Sequence, residues 1–265
     1  MSALIGSSNE DYHANRSHLS SSALKLLLKS PEDFYQQYIL NIKPPSADKP
    51  HFLDGTLLHS LILEPETILT NYAIYPGLRK AGKEYEQFVV QNPGKRIISA
   101  PQMARAEKWY QGFTALDVAT KLVSGGFAEH TMLGNILGVD VKVRADYINV
   151  IDGYIADVKT TASPSDYDAF CASVEAFGYK LSASLYCEVA RQAYDKLFDF
   201  YFIVVSKADA RCEVYKMSPA SLTEGASQYT SALILYKKCV ASGVWKAEQP
   251  RHDISSNTNY EILDI

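Results

Sequence analysis

The stretch VDVKVRADYINVIDGYIADVKTT, residues 139–161, decides the fold. Its first half alternates between apolar and polar residues, Val139, Val141, Val143 and Ala145 against Asp140, Lys142, Arg144 and Asp146. Strict alternation is typical of a half-buried strand. Asp152–Gly153 favours a two-residue hairpin turn, after which residues 154–159 supply a returning strand. We therefore predict a β-hairpin.

The register of this hairpin follows from the turn. If Asp152 and Gly153 are its two central residues, Asp146 lies opposite Lys159, and Asp157 shares their face of the sheet. Asp146 and Asp157 are then diagonal neighbours, with Cβ atoms roughly 7–8 Å apart or somewhat less, which allows both to ligate one ion. Such an oxygen-rich site suits Mg²⁺ or Mn²⁺. A surface ion pair between Asp146 and Lys159 is the alternative.

The rest of the chain predicts an α/β fold in which helices flank a central mixed sheet. Helices are expected from Ser20 to Leu28, from Pro31 through Tyr38, at 52–65, from Pro101 to about Val123, at 165–175, at 179–194 and from Pro219 to about Ala241. Residues 71–100 are expected to form loops around one short helix, and strands are expected at 198–205 and 212–217. We interpret residues 1–265 as a single domain with a mainly helical part (1–125), a β-sheet core (126–218) and a C-terminal helix and tail (219–265).

Composition limits the class of protein. The chain has 265 residues, 47% hydrophobic and 21% charged, as in ordinary soluble globular proteins. No apolar stretch approaches the ~20 residues of a membrane span and no signal sequence is evident, so we expect a cytoplasmic protein without a membrane partner. Four scattered cysteines indicate neither a zinc site nor a disulfide framework. A net charge of −4 disfavours coating of nucleic acid by bulk electrostatics, but allows one basic channel.

The arrangement Asp146 … Asp157–Val158–Lys159 resembles the core of PD-(D/E)xK nucleases, which implies a restriction-endonuclease-like sheet. The wider chain, from Tyr12 to about Met217, resembles the RecE-type (exonuclease VIII-like) branch of phages and prophages. Four more segments carry this resemblance: LSSSALKLLLKSPEDFY (19–35), GTLLHSLILEP (55–65), FAEHTML (127–133) and GYKLSASLY (178–186).

The resemblance implies roles for the site residues. Asp146 and Asp157 would be the main metal ligands, assisted by the backbone carbonyl of Val158, and Lys159 would orient or help deprotonate the attacking water. His59 would join the metal shell, although a lone histidine on an apolar helix is more often a core residue. Glu129 would be a further ligand or water-orienting group, or else an ordinary charged residue at a strand end.

The same branch suggests DNA contacts. Ser22 and Lys25 correspond to a segment near the terminal phosphate, where a helix N-terminus suits an anion; alternatively, Ser20, Ser21 and Ser22 only cap a helix. Thr160 is a candidate for contact with the DNA backbone, or else only ends a strand. Apart from the resemblance, most of the eighteen tyrosines are expected in the core or at an interface, and Tyr179 and Tyr186, which flank the proposed site, are candidates for stacking on bases. Ser182 stands where the branch often has a glutamine, and a serine is too short to replace it.

The activity that the resemblance implies is Mg²⁺-dependent 5′→3′ exonucleolytic hydrolysis of double-stranded DNA, with Mn²⁺ as a substitute and 5′-phosphate products. It also implies linear duplex ends as substrate, a homo-oligomeric ring, a single-strand annealing partner and a role in phage or prophage recombination. Two alternatives are a structure-specific or single-strand endonuclease of the same superfamily and a non-catalytic DNA-end-binding module. The combination of His59, Asp146, Asp157 and Lys159 disfavours the last.

Overall fold

The computed structural model describes residues 9–42, 50–77 and 79–246. The predicted loop at 43–49 and the tail after residue 246 lie outside these ranges. A five-stranded mixed sheet has the order β3-β4-β5-β6-β7, and β1 and β2 form a separate parallel pair. The strands are β1 Tyr72–Tyr75, β2 Arg96–Ser99, β3 Phe127–Ile136, β4 Val139–Asn149, β5 Tyr154–Thr161, β6 Asp199–Ser206 and β7 Cys212–Lys216.

The helices begin at residues that the sequence marks. Ser20, Ser99 and Ser218 cap three of them with their hydroxyls, and Pro31 opens another. A π-helical turn (Tyr35–Ile39) and a 3₁₀ turn (Pro65–Thr67) join neighbouring helices. The α-helices are α1 Asn9–Ala14, α2 Ser21–Lys29, α3 Pro31–Phe34, α4 Pro50–Leu63, α5 Ile68–Asn71, α6 Lys83–Gln91, α7 Ala100–Thr114, α8 Asp117–Leu122, α9 Tyr167–Ala176, α10 Tyr179–Tyr194 and α11 Pro219–Ser242.

The sheet is mixed because one connection crosses over. β3, β4 and β5 are antiparallel neighbours, whereas α9 and α10 carry the chain from β5 to β6, which runs parallel to β5. β7 returns antiparallel to β6. The predicted mixed sheet flanked by helices is confirmed.

Two hydrophobic clusters cover the sheet. In one, Leu24 of α2 and Leu181 of α10 pack with Ile155 and Phe202 of the sheet. In the other, residues of α4, α7 and α8 pack with sheet residues that include Val158 and Ile203. Alternate residues of β5 therefore face different helix layers, as period-two burial requires.

The predicted hairpin exists, but its register is wrong by two residues. Tyr147 pairs with Ala156 and Asn149 with Tyr154, which leaves a four-residue loop. The Asn149 side chain explains the longer loop: its Oδ1 accepts from the Asp152 N–H at 2.9 Å and its Nδ2 donates to Asp152 Oδ2 at 2.8 Å. Because a shift of two residues preserves the side-chain face, Asp146, Asp157 and Lys159 still belong together.

Two further expectations are wrong. Residues 71–100 contain the parallel strands β1 and β2 as well as a helix. The helix expected to run from Pro101 to about Val123 ends at Thr114, and a separate helix begins at Asp117. Leu116 between them has extended backbone torsions, which close α7 without any glycine or proline.

The chain before α2 fastens to the free edge of β4. Leu19 bridges Val141, donating to the Asp140 carbonyl and accepting from the Lys142 N–H, both at 2.9 Å. The Lys142 ammonium in turn donates to the carbonyls of Tyr12 and Asn15. Within the described ranges, every helix is too short or too polar to cross a membrane.

Candidate metal centre

The candidate site lies where β4 and β5 separate. The ladder between these strands ends at the Tyr147–Ala156 pair, so the next opposed residues are Asp146 and Asp157. The Val158 N–H donates to Asp146 Oδ2 at 2.8 Å instead of to a backbone carbonyl of β4. The separation of the strands thus opens a polar gap in an otherwise apolar sheet.

His59 enters this gap from α4. Its Nε2 lies 2.8 Å from the Val158 carbonyl oxygen and 3.2 Å from Asp146 Oδ2. Its Nδ1 lies 3.9 Å from Glu129 Oε1. Gly55, one helical turn earlier, lets α4 come close, because a Cβ there would lie 3.2 Å from Thr160 Oγ1. His59 is therefore a polar contact of the site and not a core histidine.

Glu129 completes the row from the other neighbouring strand. Ala128 pairs with Tyr147 and His130 with Ala145, so Glu129 lies opposite Asp146. Its φ of 49° is in the left-handed region, which is uncommon for a residue with a side chain and frequent at functional sites. Glu129, Asp146 and Asp157 thus form one row across three adjacent strands.

Asp157 and Lys159 face the layer formed by α2 and α10. Their carboxylate and ammonium form an ion pair, and Lys159 Nζ lies 5.4 Å from the centre of the Tyr179 ring. Asp157 Oδ2 is the buried oxygen of this ion pair, and among the described residues it has no further hydrogen-bond partner. The Lys159 ammonium therefore supplies the positive charge that a buried carboxylate requires in the metal-free protein.

The donor set fits a divalent cation. One ligand atom each from His59, Glu129 and Asp146 lies within 4.8 Å of the others. The Val158 carbonyl, 2.8 Å from His59 Nε2, adds a further oxygen, whereas Asp157 lies outside this cluster and pairs with Lys159. Carboxylate and carbonyl oxygens are preferred by Mg²⁺ and Mn²⁺, and imidazole is a ligand for transition metals.

Electrostatics couple these groups. Burial lowers the pKa of His59, but the Asp146 and Glu129 carboxylates and the Val158 carbonyl outweigh it and raise the pKa well above the ordinary value. Burial would raise the pKa of Asp146, yet the His59 imidazolium holds it below its usual range. Without a metal, a protonated His59 therefore supplies the positive charge between these carboxylates.

The pKa values of Asp157 and Lys159 are both raised. Burial raises the pKa of Asp157 to about 6; Lys159 opposes part of this rise and Asp146 adds to it. Burial would lower the pKa of Lys159, but the two carboxylates overcome this and raise it above the ordinary value. In the metal-free protein Lys159 is therefore an ammonium, which can donate hydrogen bonds.

A cleft of about 1040 Å³ opens over the site. His59, Glu129, Thr160 and Tyr179 line it. The predicted DNA-contact residues Ser22, Lys25 and Tyr186 are not among the lining residues. Ser22 is exposed on α2 with its hydroxyl 2.9 Å from that of Ser20, and Lys25 Nζ lies 5.9 Å from the centre of the Tyr179 ring. Tyr186 packs on Phe200 at the edge of the core.

Arg144 is the principal site residue that sequence reasoning missed. Its side chain is 12% exposed and lines the cleft, and its Nε donates to Glu129 Oε2 at 2.7 Å. A second guanidinium nitrogen donates to Thr131 Oγ1 at 3.0 Å. The signal was present, since Arg144 is two residues before Asp146 on the polar side of the alternation. The sequence alone does not show that the strand that carries Glu129 pairs with the strand of Arg144, which brings the two side chains together.

Comparisons with known proteins bear on the family and the fold. A family model described as a PDDEXK-like domain of unknown function (DUF3799) matches residues 20–252. The crystal structure of a protein from Eubacterium rectale, provisionally described as an exonuclease, is similar with a TM-score of 0.66 and 18% identity over 97% of each chain. The structure of SSO0001 aligns at a TM-score of only 0.37, with 11% identity over 83% of this chain and 81% of that one. No curated protein matches.

Proposed function

This chain belongs to the PDDEXK-like family DUF3799, and from that membership we propose that it is a metal-dependent deoxyribonuclease. The observation that carries the proposal is the cluster of His59, Glu129 and Asp146 next to the Asp157–Lys159 ion pair, whose charges act on Asp146 and His59. These residues are far apart in the sequence, and a binding module has no need of four metal-ligating side chains beside a buried ammonium.

We assign the metal to the oxygens of Asp146, Asp157 and Val158, with His59 and Glu129 completing its shell. When bound, Mg²⁺ or Mn²⁺ would lower the pKa of a water molecule and offset charge on the phosphate. Lys159, an ammonium in the metal-free protein, would donate hydrogen bonds to the attacking water or the phosphate oxygens. Arg144 holds the Glu129 carboxylate in position.

We further propose that the enzyme prefers Mg²⁺ and degrades linear duplex DNA from its ends, 5′→3′, leaving 5′-phosphates. Two facts support this finer proposal: the RecE-type segments of the sequence, and the exonuclease description given to the structurally similar Eubacterium rectale protein. The ring, the annealing partner and the role in recombination rest on the RecE resemblance alone.

The test is digestion of end-labelled linear duplex and of covalently closed circular duplex, with Mg²⁺ or with a chelator. We expect the linear DNA to be degraded only with metal, and the closed circle to stay intact. The variant Asp146→Asn should be inactive, whereas Asp140→Asn, on the same strand but at its exposed start, should match the wild type.

Three outcomes would contradict parts of this proposal. Cutting of the closed circle would replace the exonuclease by an endonuclease of the same fold. Full activity of Asp146→Asn would refute the site. Tight binding of DNA ends with no cleavage in either metal would indicate a non-catalytic end-binding module.

A further inference from the structure

An exposed aromatic side chain stands in the wall of the cleft. Phe177, at the C-terminal end of α9, is 59% exposed and lines the cleft together with Tyr179. The two rings lie 5.6 Å apart, inclined by 31°. Tyr179 packs inward on Phe202 at 5.5 Å, so it is anchored to the core while Phe177 is the outer ring. We call Phe177 and Tyr179 the aromatic wall.

The backbone holds Phe177 in this position. Its N–H donates to the Ser173 carbonyl at 3.0 Å, which closes α9, and its carbonyl accepts from Lys25 Nζ at 3.1 Å. Gly178 follows with φ of 61°, a left-handed torsion that suits glycine and turns the chain into α10. Phe177 is therefore fixed at a tight junction and not carried by a long loop.

The charges beside the aromatic wall suit a nucleic acid. Lys159 Nζ and Lys25 Nζ lie 5.4 and 5.9 Å from the centre of the Tyr179 ring, behind the cleft, and Lys207 is a lining residue of the cleft itself. Proteins that bind single strands combine cations for the phosphates with aromatic rings for the bases. A single exposed apolar residue is ordinary on a protein surface. An exposed ring fixed between a metal centre and ammonium groups calls for a ligand with a flat apolar face and negative charge.

We propose that Phe177 stacks on an unpaired base of the DNA strand whose phosphate lies at the metal centre. The subsite therefore takes one nucleotide out of the duplex, and the substrate reaches the site as a frayed or single-stranded end. This inference rests on the proposed function and adds its substrate form. Tyr179 supports the outer ring from below, and Lys25 holds the turn that presents it.

Binding measured without cleavage tests the subsite. A single-stranded oligonucleotide and versions with one abasic position, moved along the strand, are titrated into the protein in the presence of a chelator. One abasic position should weaken binding by the wild type by roughly five- to a hundredfold, the range of a base–aromatic stack. The variant Phe177→Ala should bind the intact strand more weakly by the same factor. The abasic position that weakens binding by the wild type should cause no further loss of affinity in this variant.

Matched variants separate stacking from general damage. Phe177→Trp retains a flat ring and should bind the intact strand at least as tightly as the wild type. Tyr167→Ala removes a ring that is 66% exposed at the opposite end of α9, and should leave every titration unchanged. Circular dichroism checks that the variants are folded.

The subsite would be overturned if every abasic position weakened binding equally and if each loss of affinity added to that caused by Phe177→Ala. It would also be overturned if the wild type did not bind the oligonucleotide. The proposed function is judged separately by cleavage with Mg²⁺. If the effects of Phe177→Ala and of one abasic position are not additive but the wild type does not cut DNA, the subsite is supported and the nuclease function is contradicted. If the wild type cuts DNA but the two effects are additive, the nuclease function is supported and the subsite is contradicted.

Discussion

At the scale of single residues, both members of the DxK pair hold their protons more tightly than usual, for different reasons: burial acts on Asp157, and neighbouring carboxylates act on Lys159. Asp157 is a buried carboxylate whose pKa is raised to about 6, and Lys159 is an ammonium whose pKa is also raised. If Asp157 held a cation, that ion would take the place of Lys159 as partner of the carboxylate, and the ammonium would be available to the substrate. On this proposal Asp157 serves metal binding and Lys159 serves the reaction.

Substitution of Lys159 by methionine should therefore abolish cleavage and spare metal affinity. We expect a loss of about 10²–10³-fold in kcat, the usual effect of removing one donor to developing charge. Calorimetric affinity for Mn²⁺ should stay within a few-fold of the wild type. Asp157→Asn should weaken both, and Lys216→Met, an exposed lysine of β7, should affect neither. Full activity of Lys159→Met would contradict the role given to this lysine.

The pH dependence of metal binding follows from two residues. Asp157 must be ionised to bind a cation, and its raised pKa means that affinity falls as the pH drops through about 6. His59 must also lose its extra proton, and because its pKa is raised well above the ordinary value, affinity should still increase above neutral pH.

The variant His59→Asn removes the second titration. The carboxylates of Asp146 and Asp157 both lose a positive neighbour in this variant, so their pKa values should be higher, and the fall of Mn²⁺ affinity with decreasing pH should begin at a higher pH than the Asp157 limb of the wild type. Titrations across pH 5–9 measure this. An Asp157 limb at the same pH in His59→Asn and in the wild type would contradict the electrostatic coupling between His59 and these carboxylates.

At the scale of elements, the sequence predicted helices well where caps and periodicity agree. α2, α10 and α11 match their expected bounds closely, because Ser20, Gly178 and Ser218 mark their starts. The hairpin register could not be predicted, because the Asn149 side chain builds a four-residue loop and Asp152–Gly153 alone suggests a two-residue one. β1 and β2 are four residues each, and their pairing is non-local.

The site was predictable only in part, because some of its residues come together through non-local packing. Asp157, Val158 and Lys159 are contiguous, and even a register error of two residues leaves Asp146 on their face. His59 reaches the gap through the packing of α4, and Glu129 through its left-handed backbone torsion. Neither feature can be predicted from the periodicity of apolar residues in the sequence. The family resemblance predicted both residues as site residues, whereas only the structure showed that Arg144 belongs to the site.

The close approach of α4 to β5 gives an element-scale prediction. Gly55→Ala would place a Cβ 3.2 Å from Thr160 Oγ1 and press the helix away from the strand, which withdraws His59 from the gap. We expect Mn²⁺ affinity to fall by about tenfold, the cost of disturbing the orientation of a ligand. The second substitution Thr160→Ala removes the contacting oxygen and should restore the affinity. Unchanged metal binding by Gly55→Ala would show that this approach is not needed.

At the scale of the whole molecule, the site depends on two helix layers that meet at one break in the sheet. α4 delivers His59 from one side, while α10 brings Tyr179 to Lys159 from the other. α10 is itself positioned by α11, because Gly225 lies against the Lys180 carbonyl, which a Cβ would approach to 2.0 Å. The packing of α11 therefore affects the candidate site through α10.

Gly225→Ala should destabilise the protein by about 1–3 kcal/mol, as overpacking of a tight contact does. Ser227→Ala, exposed two residues later in the same helix, should be neutral or slightly stabilising. Urea unfolding measures both. Equal stability of the two variants would mean that α10 and α11 can separate at no cost.

The most direct test of the account is a crystal structure of the protein with Mn²⁺, in which anomalous scattering locates the ion. We predict a peak in the gap between β4 and β5, bound by Asp146, Asp157, the Val158 carbonyl and His59 or Glu129, with Lys159 no longer paired to Asp157. A protein that binds Mn²⁺ elsewhere, or leaves this gap empty at saturating Mn²⁺ with the Asp157–Lys159 pair intact, would contradict the central claim.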